Sequence, residues 1–179
     1  MPLPDFKQDY FQLFDLRPGF TVDQALLGER YRTLQGELHP DRFAAKPQAE
    51  QRLAVQYSAL VNEAYTTLRN PLDRALYLMQ LEGMDEGEVA RQQVDGAFLM
   101  LQMELREKLE SVGDSTDAED ALDDLIQDIT GDLKALRTEF GDVYAQRDLD
   151  AAAQCCVKMQ YLDKLLLEAQ RLESELMDR

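Results

Sequence analysis

Tyr31-Arg32-Thr33-Leu34-Gln35-Gly36-Glu37-Leu38-His39-Pro40-Asp41-Arg42-Phe43 is the stretch on which the reading of this chain turns. Upstream, Leu26, Leu27, Tyr31, Leu34 and Leu38 recur at three- and four-residue steps. This single apolar stripe predicts a helix from about Val22 to Leu38, capped by Thr21 or Asp23. Pro40 ends it, because proline lacks the backbone donor and disfavours helical geometry at His39. A loop is expected through Lys46, and Pro47 suits the first turn of the next helix. That helix should run to about Arg69, with Leu53, Tyr57, Leu60, Val61, Ala64, Tyr65 and Leu68 on its inner face. His39 is the only histidine in the chain. A tripeptide recurs by chance, and His39-Pro40-Asp41 alone equally describes an ordinary turn. Its setting between two amphipathic helices singles it out. There Pro40 stiffens the turn, Asp41 is free for a charge-assisted pair with an arginine, and His39 can bond or pack beside it.

Working outward, Asp5–Phe14 predicts a short aromatic-rich helix closed by Pro18-Gly19. Asn70-Pro71 marks a break and restart, with a helix from Pro71 to about Leu81. Glu82-Gly83-Met84-Asp85-Glu86-Gly87 is the best linker candidate, so the domains are read as 1–82 and 83–179. Beyond it the pattern is again helical. One helix is expected over about Val94–Val112, stopped by Gly113-Asp114-Ser115. A second, capped by Thr116 or Asp117, should reach about Arg147, with Leu122, Leu125, Ile126, Ile129, Leu133, Leu136, Phe140, Val143 and Tyr144 as its stripe. A third should start at Asp148 and end near Met177. Two long helices and a shorter one joined by short turns predict an antiparallel three-helix bundle, and an all-α fold throughout.

The charge is unevenly spread. Residues 1–82 hold 9 Lys/Arg against 11 Asp/Glu, a net of −2, and residues 83–179 hold 10 against 24, a net of −14. An acidic second half disfavours nucleic acid, whose binding needs cationic surface. It is also repelled by anionic membranes, so a partner surface with basic residues is the natural complement. No apolar run is long enough to span a bilayer, and Asp5, Lys7 and Asp9 interrupt any signal-peptide pattern. A cytoplasmic location is expected. Cys155 and Cys156 are adjacent, lack CxxC spacing, and read as small semi-buried side chains with no metal to hold. One histidine and no phosphate loop leave few catalytic sets, so an enzyme is not expected.

The first half resembles the J domain, the module by which DnaJ-type co-chaperones engage DnaK-class ATPases. The matching residues are Asp9-Tyr10-Phe11-Gln12-Leu13-Phe14, Tyr31-Arg32 and Leu34, and His39-Pro40-Asp41-Arg42-Phe43. Asn62-Glu63-Ala64-Tyr65-Thr66-Thr67-Leu68, Asn70-Pro71 and Arg74-Ala75 follow in order. The second half narrows the likeness. Asp95-Gly96-Ala97-Phe98-Leu99-Met100, Glu104-Leu105-Arg106-Glu107 and Tyr161-Leu162-Asp163-Lys164-Leu165 look like the signature of the HscB co-chaperones.

That resemblance implies a J domain joined to a C-terminal three-helix bundle. It implies binding of the iron–sulfur scaffold IscU by the bundle and stimulation of ATP hydrolysis by the chaperone HscA through the J domain. No cofactor is implied, since the cluster belongs to the client. The residues implied to meet the ATPase are His39, Pro40 and Asp41, with Arg30, Arg32 and Arg42 supplying positive charge. Those implied to meet the scaffold are Leu99, Met100, Met103, Glu104 and Glu107, with Tyr161 from the last helix. Spacing agrees: 99 and 103, 100 and 104, and 103 and 107 are i,i+4 pairs that can share one face. The competing view is that Leu99 and Met103 are bundle core. The chain departs from the family pattern at Gly36-Glu37, usually basic, at Leu38, usually Tyr, at Ser111, often Glu, and at Tyr161, more often Phe. The alternative function is a J protein that recruits a DnaK-class chaperone to a different client.

Overall fold

The computed structural model describes residues 6–112 and 117–177, and every regular element among them is helical. The chain falls into two compact units divided between Leu78 and Met79.

In the first unit, α1 (Tyr10–Leu13) is a single turn built by a reciprocal cap. The Asp9 carboxylate accepts from Gln12 N–H at 2.8 Å, and Asp9 N–H donates back to the Gln12 carboxamide at 3.0 Å. The expected helix from Asp5 is therefore shortened, and Asp5 itself lies outside the described residues. The stop is also earlier than Pro18-Gly19. Asp15 takes a left-handed φ of 49°, and Leu16 N–H returns to the Phe11 carbonyl at 2.8 Å. Phe11 and Phe14 are thereby turned into the core.

α2 (Gln24–Glu37) starts at Asp23, not Thr21, with the carboxylate accepting from Ala25 and Leu26 N–H, both at 3.0 Å. The loop expected after Pro40 is in fact a helical turn, α3 (Pro40–Phe43). Proline is tolerated at a first helical position because that N–H has no helical partner anyway. Pro47 then stands just outside α4 (Gln48–Arg69) as its N-cap residue. α2 and α4 form an antiparallel hairpin: the Tyr31 ring stacks on Tyr65 at 3.9 Å, and Gln35 donates to Asn62 at 3.2 Å. Leu27 and Leu38 of the α2 stripe are buried, and Leu26, Tyr31 and Leu34 are half-buried. On α4 the buried row is Ala54, Tyr57, Val61, Ala64 and Leu68, so Ala54 displaces Leu53.

Asn70 serves both sides of its break. It ends α4, and its carboxamide oxygen accepts from Leu72 and Asp73 N–H at 2.9 and 3.1 Å to start α5 (Pro71–Leu81). Arg74 is buried with its guanidinium on the Leu68 carbonyl at 2.5 Å and over the Phe20 ring at 4.9 Å.

In the second unit, the candidate linker 82–87 is structured. Glu82 accepts from the two terminal guanidinium nitrogens of Arg147 at 2.6 and 2.8 Å and from the Tyr144 hydroxyl at 2.9 Å. Asp85 and Glu88 form a capping box that starts α6 (Glu86–Ala90), whose Val89 is buried. Three helices then make an antiparallel bundle: α7 (Gly96–Ser111), α8 (Ala118–Ala145) and α9 (Leu149–Met177). Gly113-Asp114-Ser115 and Thr116, read as stop and cap, lie outside the described residues; Asp117 precedes α8 without a side-chain cap bond. Leu122, Leu125, Ile129, Leu133, Leu136 and Phe140 form the buried stripe of α8, and Gly131 and Gly141 do not interrupt it. Asp148 caps α9, accepting from Ala151 N–H at 3.1 Å. α9 buries Ala152, Cys155, Cys156, Met159, Leu162, Leu165 and Ala169 among others. Burial pushes both cysteine thiols up to about 12.

Candidate functional site

The tripeptide occupies the end of the α2–α4 hairpin. Leu38 closes α2 and is buried, and the next three side chains are all exposed. His39 is the N-cap of α3. Its Nδ1 accepts from Asp41 N–H at 3.4 Å and stands 3.5 Å from the Asp41 carboxylate. The Asp41 side chain is 91% exposed and makes no other ion pair among the described residues, which leaves most of its accepting capacity open. Behind the turn, Gln51 of α4 donates to the Lys46 carbonyl at 2.9 Å and to the Ala44 carbonyl at 3.4 Å. This anchor has no signature in sequence, because an exposed-looking glutamine on a helix gives no hint of two loop carbonyls.

The three arginines do not act alike. Arg32 and Arg42 are exposed. Arg30 is engaged: it donates to the Phe14 carbonyl at 2.5 Å and to the Asp15 carbonyl, and pairs with the Asp15 carboxylate at 2.9 Å. It ties α2 to the end of α1.

The second candidate site lies on α7. At 3.6 residues per turn, positions 99, 100, 103, 104 and 107 span an arc of about 140°, centred opposite the buried row. That row is Phe98, Leu105 and Leu109. Leu99 is 49% exposed, Met100 64% and Met103 73%, so none of them is bundle core. Glu104 and Glu107 are exposed beside them. The result is an apolar strip with a carboxylate edge on one face.

Tyr161 flanks this strip from α9. Its ring meets Phe98 edge-on at 6.1 Å between centroids, and its hydroxyl donates to the Gln102 carbonyl at 3.2 Å. One turn along, Arg106 bonds Glu168 of α9 at 2.6 Å. Glu168, and in smaller part the neighbouring Tyr161 hydroxyl, push the Arg106 pKa up. At the start of α7, Asp95 caps Phe98 N–H at 2.8 Å and pairs with Lys158 at 2.6 Å. Lys158, and then the Phe98 amide, hold the Asp95 carboxyl below its usual range. Lys158, Tyr161 and Glu168 meet Asp95, Gln102 and Arg106 in the same order, so α7 and α9 run parallel. The Arg106–Glu168 pair is a further contact that sequence spacing does not announce.

Comparison with known proteins follows from these two sites. Residues 94–170 match the family model described as the HSCB C-terminal oligomerisation domain. The chain is 44% identical to the co-chaperone protein HscB homolog of Aeromonas hydrophila, over 95% of this chain and 99% of that one. The chain belongs to the HscB co-chaperone family. The structure of chaperone HscB from Vibrio cholerae is 38% identical, with a TM-score of 0.84 over 94% of this chain and 99% of that one. Human co-chaperone protein HscB is 33% identical, with a TM-score of 0.87 over 95% of this chain and 84% of that one. The fold is thus the HscB fold: an N-terminal J domain, here the α2–α4 hairpin with its short flanking helices, and a C-terminal three-helix bundle. No helix among the described residues is long and apolar enough to cross a membrane.

Proposed function

We propose that this HscB-family chain binds the iron–sulfur scaffold IscU through its bundle and stimulates ATP hydrolysis by the chaperone HscA through its J domain. Its role is then to support cluster transfer and the maturation of iron–sulfur proteins, in the cytoplasm. The chain performs no chemistry itself. The hydrolysed bond lies in the partner, and the cluster is carried by the scaffold.

The observation that supports this reading most is the α7 face. Three large apolar side chains stand out from a helix whose core row is filled on the opposite side. Folding gains little from leaving them there, and an apolar strip edged by carboxylates suits a partner with an apolar patch and basic neighbours. Leu99, Met100, Met103, Glu104, Glu107 and Tyr161 are the proposed scaffold contacts. Methionine suits such a surface because its unbranched side chain adapts to a partner's shape.

His39, Pro40 and Asp41 are the proposed ATPase-chaperone contacts. Asp41 offers an exposed carboxylate for a charge-assisted pair with a partner arginine. Arg32 and Arg42 supply steering charge from the exposed surface. Arg30 contributes by holding α1 and α2 together.

Steady-state ATP hydrolysis by HscA, with the chain and IscU added singly and together, tests the proposal. The expected outcome is synergistic stimulation that Asp41→Asn or His39→Gln abolishes, with scaffold binding intact. Stimulation indifferent to IscU would point to a different client. Absence of stimulation of any DnaK-class partner would refute the reading.

A further inference from the structure

The first turns of α7 are thinly held. From Ala90 to Glu104, Phe98 is the one buried residue, and Gly96 and Ala97 open the helix with nothing large to pack. A helix start with so little burial frays, because its first amides have no partners within the helix. Yet Leu99 and Met100, two of the three exposed apolar side chains of the strip, stand on this segment.

α9 supplies what burial does not. The Asp95 carboxylate serves two elements at once. Its Oδ1 accepts from Phe98 N–H at 2.8 Å and so caps α7, and its Oδ2 meets Lys158 Nζ at 2.6 Å. Lys158 reaches across from α9 with only 15% of its side chain exposed, and its ammonium lies 5.6 Å from the centre of the Phe98 ring. One cation therefore holds both the cap of α7 and its first buried side chain. Asp132 and Glu139 line the same cleft, but Asp95 is the carboxylate within ion-pair reach among the described residues. A cation so far withdrawn from water needs that partner.

We infer that Lys158 is a positioning residue for the docking face: it pins Asp95 and Phe98 to α9, and so orders the turn from which Leu99 and Met100 project. This rests on the scaffold-docking reading above and adds to it a pair, Lys158 and Asp95, that acts through Leu99 and Met100. A turn already ordered presents both side chains together, so less order has to be imposed when the partner arrives. Removing the tether leaves every docking side chain present and the first turn loose.

The test uses the full chain, with affinity for IscU measured by calorimetry and amide hydrogen exchange followed on the free protein. Lys158→Met keeps the apolar stem and removes the ammonium. Asp95→Asn keeps a capping side chain and removes the charge. Each is expected to weaken binding by roughly three- to tenfold. The double variant should be no weaker than the weaker single one, because both changes break one contact. The Leu99 amide donates to the Asp95 carbonyl at 3.2 Å. It and the Met100 amide should exchange roughly three- to tenfold faster in either variant, with the Leu105 and Leu109 amides unchanged. Wild-type affinity in Lys158→Met would overturn the inference, as would losses that multiply in the double variant. Faster exchange along the whole of α7 would overturn it too, since the pair would then hold the bundle and not the turn. Should Lys158→Met fail to fold, Asp95→Asn carries the test alone, and wild-type affinity there is equally fatal. If Leu99→Ala with Met103→Ala binds IscU normally, the docking face itself is refuted and the inference goes with it. If that pair loses binding while Lys158→Met does not, only the positioning role is lost.

Discussion

Replacing Leu99 and Met103 by alanine separates docking from folding, and the exposures set the size of the effect. Fully burying a leucine or methionine side chain is worth about 1.5–3 kcal/mol. Leu99 keeps 49% of its surface free for a partner and Met103 keeps 73%. Taking those fractions, docking can gain about 1 kcal/mol from Leu99 and about 1.5 kcal/mol from Met103. Their sum of about 2.5 kcal/mol corresponds to a loss of roughly 60-fold in affinity. The folded state gains from Leu99 only through its buried half, about 1 kcal/mol, and less from Met103, so the variant should still melt cooperatively. Calorimetric titration with IscU and thermal circular dichroism measure the two quantities. ATPase stimulation in the absence of the scaffold should be unchanged. A loss of affinity under about threefold in a cooperatively folded variant would show that the strip is not the docking face.

Three other outcomes are expected. Gln51→Ala removes two bonds to the carbonyls behind the tripeptide, and should raise the concentration of the chain needed for half-maximal ATPase stimulation by about 3- to 30-fold, with IscU affinity unchanged. Glu82 is held below the usual carboxylate range by Arg147 first and then Tyr144, so its contribution to stability is present at neutral pH. That contribution is lost as pH falls through the lowered pKa; the difference in melting temperature between the native chain and Glu82→Gln should therefore be largest near neutral pH and vanish only in acid below that lowered pKa. With thiols pushed up to about 12, Cys155 and Cys156 should resist a thiol reagent at pH 8 in the native protein and react on adding denaturant.

The long helices were legible because their apolar residues recur with the helical period. The α8 row Leu122–Phe140 and the restart at Asn70-Pro71 follow directly from spacing and from proline. The short helices were not. α1, α3 and α6 have four, four and five residues, too few for a period, and their bounds come from single caps at Asp9, His39 and Asp85. Hence 82–87 reads as a linker although Glu82 and Asp85 are both engaged. At the proposed docking strip, spacing identified one face of α7 and left open whether Leu99 and Met103 pointed in or out; only the placement of Phe98, Leu105 and Leu109 against the bundle decides it. Arg30 reads as free surface charge because nothing in its own helix reveals the turn at Asp15. The Arg106–Glu168 pair joins positions 62 residues apart, a relation that only helix packing creates.

His39 has one more consequence. The chain contains a single imidazole, and it stands at the exposed start of α3, beside the carboxylate proposed to meet the ATPase. Its ring protons give one pair of signals in a region of the proton spectrum well apart from the methyl groups of the bundle. The chain is therefore its own reporter: the fraction engaged by an ATPase partner can be counted from those two lines, with no tag and no substitution near the contact.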